Sequence, residues 1–338
     1  MRPLLAALAM WSIAAGAAAT PTPADSTSQV AVLVAEAKAV RPLFRTKLVA
    51  DFLDAVPSLP RVVPRTVLCD SARTRCWTET EAAGLPDTLR ARLTTRTLDE
   101  RFYYVTRYGS PLAYARPLEI LGQAGFGDAR GRKIADFGYG TIGHLRLLAM
   151  IGADVHGIEV DPMLRALYAA DVGPVDGPGD RRGSIGLHHG QWPAVASLAA
   201  EVGAGYDLVI SKNTLKRGYV HPAESVNPRM MVHLGVDDST YVASLARAVK
   251  PDGWVMIYNL CPAPAPPGKP YLPWADGRCP FDRGLLERAG FQVVAYDRED
   301  SPAARTMAHE LGWDAGEQPM DLEKDLFATY TLLRRRAK

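Results

Sequence analysis

The sequence predicts an α/β protein: a doubly wound, mainly parallel, seven-stranded sheet carrying a helical N-terminal extension. Three observations predict it. From Lys133 onward short apolar runs alternate with helical stretches, the pattern of a parallel sheet covered on both faces. The first run leads into three glycines at G-x-G-x-x-G spacing, in DFGYGTIG (136–143), as where a strand turns into a helix around a ligand. Upstream, residues 30–65 have helical periodicity cut by Pro57, Pro60 and Pro64.

The elements follow in chain order. Met1 and Arg2 give a positive start, and Leu4 to Ala19 is an apolar run broken only by Ser12 and Gly16, closing on three alanines. This reads as a signal peptide over 1–19, cleaved near Ala19, with a Thr/Pro/Ser-rich linker over 20–29. The run is shorter than the roughly 20 residues that cross a bilayer. No stable membrane span is therefore expected after cleavage, and the expected location is a bacterial periplasm or the medium. An uncleaved N-terminal anchor is the alternative. Residues 30–110 read as an extension or cap with a small hairpin over 66–80. An aromatic, extended segment from residue 100 leads into an amphipathic helix starting near Pro111.

Residues 111–338 then form the α/β domain. Its strands are expected at KIADF, DVHGIE, SIGLH, YDLVIS, GWVMIYN, FQVVAYD and LFATYTLL. Helices are expected near 142–151, 162–170, 193–202, 239–249, 282–289 and 302–311. Such sheets bind ligands beyond the carboxyl ends of their strands, where the strand order reverses.

Composition narrows the function. With 47% hydrophobic residues and a net charge of +2, the chain is ordinary for a globular protein, and its charge gives no reason to expect nucleic-acid binding. Neither Cys69 with Cys76 nor Cys261 with Cys279 has the C-x-x-C spacing of a zinc or redox site, and no metal site is expected. Two local pairs behind an export signal read as two loop-closing disulfides.

The glycines Gly138, Gly140 and Gly143 allow a tight turn and a close approach of backbone N–H groups to a ligand. Glu159 ends the second strand about 20 residues further on, where a carboxylate can accept from ribose hydroxyls. Spacing alone leaves a nicotinamide or flavin cofactor open. Asp136, at the strand tip, argues against it: a carboxylate there repels a pyrophosphate and attracts a ligand with an amino group and a sulfonium.

The motif DFGYGTIG resembles the first motif of class I S-adenosylmethionine-dependent methyltransferases. GIEVDP (157–162) is similar to that family's ribose-binding strand end, YDLVIS (206–211) to its fourth-strand motif, and LARAVKPDGWVMI (245–257) to its helix–turn–fifth-strand signature. All four occur in family order, over roughly residues 112–335. The resemblance implies that Asp136 lies near the methionine portion of S-adenosylmethionine, that Gly138, Tyr139, Gly140 and Gly143 form the turn beneath it, and that Glu159 holds the ribose. Where the family often has an acid to read adenine, this chain has LHHGQWP, which offers Gln191 as acceptor and Trp192 as a packing surface. Asp161 is expected only to cap the helix that begins at Pro162.

Methyl transfer from a sulfonium is an in-line displacement, which needs an aligned acceptor, exclusion of water and, where required, a base. In this fold the acceptor site lies near the ends of the fourth and fifth strands, here SKNTLKRGYVHP (211–222). Lys212, Asn213, Tyr219 and His221 are its catalytic candidates. Tyr271 and Trp274, in the proline-rich loop after the fifth strand, are candidate pocket walls, and Tyr104, Arg107 and Tyr108 weaker ones. Asp237 and Asp238 read as a helix N-cap with Ser239. The expected partner is a small-molecule methyl acceptor, the sequence being silent on oligomeric state. An exported binding protein that keeps the fold without catalysis is the alternative, a nicotinamide-dependent oxidoreductase a further one.

Overall fold

The computed structural model describes residues 28–106, 109–317 and 319–337. The leader over 1–19, its cleavage site and most of the linker lie outside the described residues. The first helix begins at Gln29, capped by the Ser28 hydroxyl, which accepts from the Val30 N–H at 3.2 Å. Among the described residues no helix is long and apolar enough to cross a membrane.

The extension contains helices at Gln29–Val40 and Lys47–Asp54 and a three-stranded antiparallel sheet: β1 (Arg65–Cys69), β2 (Cys76–Thr78) and β3 (Thr94–Leu98), with β1 central. The hairpin is closed where Cys69 and Cys76 face each other and form a disulfide. Residues 100–105, expected to be extended, are instead a helix, Glu100–Val105. The Asp99 carboxylate caps it by accepting from the Phe102 N–H at 2.8 Å, and Tyr103 and Tyr104 are buried. The aromatic run was a local β signal, and the cap with tertiary burial overrides it.

The large sheet has eight strands: β4 (Lys133–Phe137), β5 (Asp154–Glu159), β6 (Gly173–Asp176), β7 (Arg182–His189), β8 (Tyr206–Lys212), β9 (Val249–Cys261), β10 (Phe291–Glu299) and β11 (Phe327–Arg335). Their order is β10-β11-β9-β8-β4-β5-β7-β6. The pairs β7–β5, β5–β4, β4–β8 and β8–β9 are parallel; β11 and β10 are antiparallel additions on one side and β6 on the other. All seven expected strands form. The eighth, β6, reads GPVD, and its glycine and proline hide it in the sequence. An edge strand tolerates a proline because one of its sides need not donate.

The order reverses between β4 and β8, which fixes the switch point and the expected ligand side. Side chains alternate across the sheet. Ile134, Leu208, Ile210, Met256 and Tyr258 join one core with Leu145, Leu148 and the extension's Leu33, Leu48 and Phe52; Ala135, Val209, Val255 and Ile257 join another with Tyr241, Leu245 and Phe281. Every residue of β8 is buried. The extension thus shares a core with one face of the sheet.

The second expected disulfide does not form: Cys261 and Cys279 are free and buried. The loop brings Gly277, not Cys279, against the Cys261 sulfur, where a Cβ on Gly277 would lie 2.9 Å away. Cys279 is fixed elsewhere, its N–H donating to Asp297 Oδ1 at 2.6 Å.

Candidate functional site

The turn after β4 is built by its glycines. Gly138 (φ +78°) and Gly140 (φ +59°) occupy the left-handed region that side chains disfavour. Gly143 opens the helix Gly143–Met150. The Gly140 N–H donates to Glu159 Oε2 at 3.2 Å, while the Val160 and Asp161 N–H groups donate to Glu159 Oε1 at 2.8 and 3.2 Å. Three backbone donors thus pin one carboxylate at the end of β5. Burial raises the Glu159 pKa, opposed by those donors. One acceptor direction of the four that a carboxylate offers remains for a ligand.

The turn is covered from two sides. Thr214, just past β8, sits over Gly138 and donates its hydroxyl to the Gly138 carbonyl at 3.2 Å. On the other side, Pro111 and the Tyr104 carbonyl pack on Gly143, the Thr141 hydroxyl donates to the Tyr104 carbonyl at 2.5 Å, and the Thr106 hydroxyl donates to the Gly140 carbonyl at 3.1 Å. Tyr104, Thr106 and Pro111, upstream of β4, therefore lie over the turn. Tyr104 itself is buried, its hydroxyl donating to the Pro60 carbonyl at 2.5 Å. Arg107 and Tyr108 lie outside the described residues.

Asp136, last but one in β4, is fully buried. Its Oδ2 accepts from the Tyr114 hydroxyl at 2.7 Å and faces His144 Nε2 at 2.5 Å. The Tyr114 and His144 rings stack with centroids 3.6 Å apart. Burial lowers the His144 pKa, against the opposing pull of Asp136, which favours the neutral imidazole over the imidazolium. Asp136 Oδ1 and His144 Nδ1 are buried with no hydrogen-bond partner among the described residues. Orphaned polar atoms are costly without a partner, and these two lie at the switch point, the side on which such sheets bind ligands.

Lys212 ends β8 beside this group. Its ammonium lies 5.3 Å from the Tyr114 ring centroid, and burial lowers its pKa to about 8, opposed by the Asp136 charge. Of the four catalytic candidates, Lys212 is the one joined to the Asp136 cluster. Asn213 (φ +65°) ties β8 to β9, its Oδ1 accepting from the Leu260 N–H at 2.7 Å. Tyr219 lies under Lys216, ring centroid to ammonium 5.4 Å. His221 pairs with the Asp238 carboxylate at 2.9 Å on the wall of a surface cleft of about 370 Å³, shared with Val232, Leu234 and Asp237.

The remaining residues divide similarly. Tyr139 points into the core against Tyr168, ring centroids 6.1 Å apart. Gln191 is exposed at the end of β7, near Gly235. Trp192 is buried between Phe137 and Tyr241, at centroid distances of 6.2 and 5.5 Å. Val160, directly after Glu159, is 62% exposed. Trp274 lends its carbonyl to Lys216 at 3.4 Å, and the Tyr271 hydroxyl accepts from the Ala223 N–H at 3.3 Å. Asp237 caps its helix, accepting from the Thr240 N–H at 2.9 Å and from the Ser239 hydroxyl at 2.5 Å, and Asp161 caps the helix beginning at Pro162. Sequence reasoning missed Tyr114, His144 and Lys216. His144 had a signal, being a polar residue directly after the last glycine of the turn.

No protein-family model matches the chain, and no curated protein matches it in sequence. Its structure matches those of S-adenosylmethionine-dependent methyltransferases and related proteins at low identity. It is similar to a Galdieria sulphuraria protein assigned as a sarcosine dimethylglycine methyltransferase, at 14% identity and TM-score 0.40, over 69% of this chain and 88% of that one. It is also similar to Haemonchus contortus phosphoethanolamine N-methyltransferase 2, solved with phosphomonomethylethanolamine and S-adenosylhomocysteine. That match has 13% identity and TM-score 0.41, over 72% of this chain but only 63% of that one, under two thirds of its length. A third likeness, at 13% identity and TM-score 0.39, is to the 4+2 cyclase SpnF, over 89% of this chain and 93% of that one. At these scores the likenesses carry no functional argument, and the strand order and parallel pairing of this chain establish its α/β architecture.

Proposed function

We propose that this protein binds S-adenosylmethionine at the β4–β5 turn and transfers its methyl group to a small-molecule acceptor at the ends of β8 and β9. The observation that carries the reading is Asp136: a fully buried carboxylate at the switch point with Oδ1 unpartnered among the described residues. A buried acceptor of that kind suits a ligand ammonium. Glu159, pinned by three N–H groups with one acceptor direction left, suits a ribose hydroxyl. The Asp136 carboxylate at the strand tip does not suit a pyrophosphate, which weighs against a dinucleotide, whereas Glu159 on a ribose would serve either cofactor.

On these grounds the residues fit S-adenosylmethionine, with Asp136, Glu159 and the Gly138–Gly140 backbone holding it. Bound there, it supplies an electrophilic methyl on a sulfonium. The chain's own groups do the rest. Asp136 and Glu159 orient, and Tyr114 and His144 fix Asp136 in one rotamer. Thr214, Tyr104, Thr106 and Pro111 keep water from the turn.

Calorimetric titration with S-adenosylmethionine and S-adenosylhomocysteine tests the binding, and a labelled-methyl screen over small acceptors tests the transfer. Millimolar adenosyl ligand without heat would refute the proposal. The alternative of a binding protein without catalysis draws support from His221 and Asn213, which are engaged in structural contacts; binding of both adenosyl ligands with no methyl transfer to any acceptor would favour it. The proposal includes export, supported by the leader-like stretch over 1–19. N-terminal sequencing of the mature protein tests it, an intact Met1 counting against it.

A further inference from the structure

The ends of β4, β8 and β9 bury more positive charge than negative. Lys212 and Lys216 are both buried, at 8% and 4% exposure. The Lys216 ammonium donates to the Leu260 carbonyl at 2.5 Å and to the Trp274 carbonyl at 3.4 Å. The Lys212 ammonium makes no hydrogen bond to the described residues; it lies 5.3 Å from the Tyr114 ring centroid and feels the Asp136 charge. The Lys212 charge adds to the cost of charging Lys216, and burial together with Lys212 disfavours the charged form of His144. Against two ammonium groups stands one carboxylate, Asp136, whose Oδ2 is already taken by Tyr114 and His144.

An ammonium on a largely buried side chain, with no hydrogen bond from the described residues and only the shared Asp136 charge to offset it, is unfavourable, and at a ligand side an anionic ligand would complete it. We infer that the methyl acceptor is a carboxylate, held by the Lys212 ammonium. This rests on the methyl-transfer reading above. The step balances without a base: one carboxylate oxygen forms the O–C bond to the methyl, the C–S bond breaks with its electron pair going to sulfur, and the products are a methyl ester and a neutral thioether. No proton moves. That accounts for the absence, among the described residues, of a free histidine or carboxylate at the end of β8: His221 is on the surface with Asp238 and the Asn213 oxygen is engaged. Lys212 neutralises the acceptor when it binds and is left beside a neutral ester afterwards, which favours product release.

The test uses the full chain with S-adenosylmethionine labelled in the methyl group. Benzoate, phenylacetate, octanoate and succinate are offered, each beside its amide. The expected result is label transferred to at least one acid and to none of the amides, with mild alkali releasing it as methanol. Lys212→Met abolishes that transfer and raises the carboxylate Kd of the S-adenosylhomocysteine complex by about tenfold or more; Lys212→Arg retains part of both. Alkali-stable label, or label on amides or amines, overturns the inference and leaves the methyltransferase reading standing. So does a S-adenosylhomocysteine complex that binds none of the acids at millimolar concentration. If Lys212→Met instead loses S-adenosylmethionine affinity, the ammonium serves the methyl donor and the inference is wrong. Absence of any adenosyl-ligand binding to the wild-type protein overturns both readings together.

Discussion

Asp136 carries two hydrogen-bonding partners on one oxygen and none on the other. Asp136→Asn removes the charge and puts an amide donor where an acceptor is needed. We expect it to weaken S-adenosylmethionine binding by about tenfold or more, measured by calorimetry. Asp136 was legible in the sequence because it belongs to a contiguous motif. Tyr114, 22 residues earlier, was not, because only the tertiary fold brings it there.

The lysines give a second residue-scale prediction. Burial lowers Lys212 and Lys216 from 10.5 to about 8. Between about pH 8 and 10.5 the unfolded chain therefore binds more protons than the folded one, and stability contributed by these groups rises with pH across that window. Below pH 8 both are charged and their burial cost is fully present. Lys212→Met should make this rise shallower in denaturant melts at stepped pH; an unchanged slope would mean that Lys212 is not buried as a titrating group.

At the scale of elements, the β4 turn depends on Gly138. A Cβ there would lie 2.1 Å from the Thr214 hydroxyl oxygen, and its φ is +78°. Gly138→Ala should cost at least about 1–3 kcal/mol from backbone strain alone. Thr214→Ala should recover only part of the loss, because the Thr214 Cβ also lies 2.7 Å from the added atom. Equal stability of wild type and Gly138→Ala in chemical denaturation would contradict the close approach. The glycine spacing showed that a turn was present, but not that a β8 residue covers it. The cysteines are a similar case. Local spacing suggested two disulfides, and one forms, because β1 and β2 place Cys69 opposite Cys76 whereas the β9 loop presents Gly277 to Cys261. Thiol titration of the denatured, unreduced protein should find two free thiols, and four after reduction. Cys69→Ser with Cys76→Ser should lower stability by about 2 kcal/mol, the loop being short.

For the whole molecule, what was legible followed periodicity. The seven strands with apolar runs and their helices could be read because both faces of the sheet are buried, as the wholly buried β8 shows. The strand β6 and the helix Glu100–Val105 could not, because their composition contradicts their state and the surrounding packing decides it. The site divides along the same line: Asp136, Glu159 and the glycines share one switch point, whereas His221 and Trp192 are drawn away by Asp238 and by the core. The central claim is that this switch point holds S-adenosylmethionine. Its most direct test is calorimetry with S-adenosylhomocysteine on the wild type, Asp136→Asn and Glu159→Gln, with circular dichroism to confirm folding. The account predicts one-to-one micromolar binding that both substitutions weaken about tenfold or more. Unchanged affinity in both folded variants, or binding of NAD(H) in place of the adenosyl ligands, would contradict it.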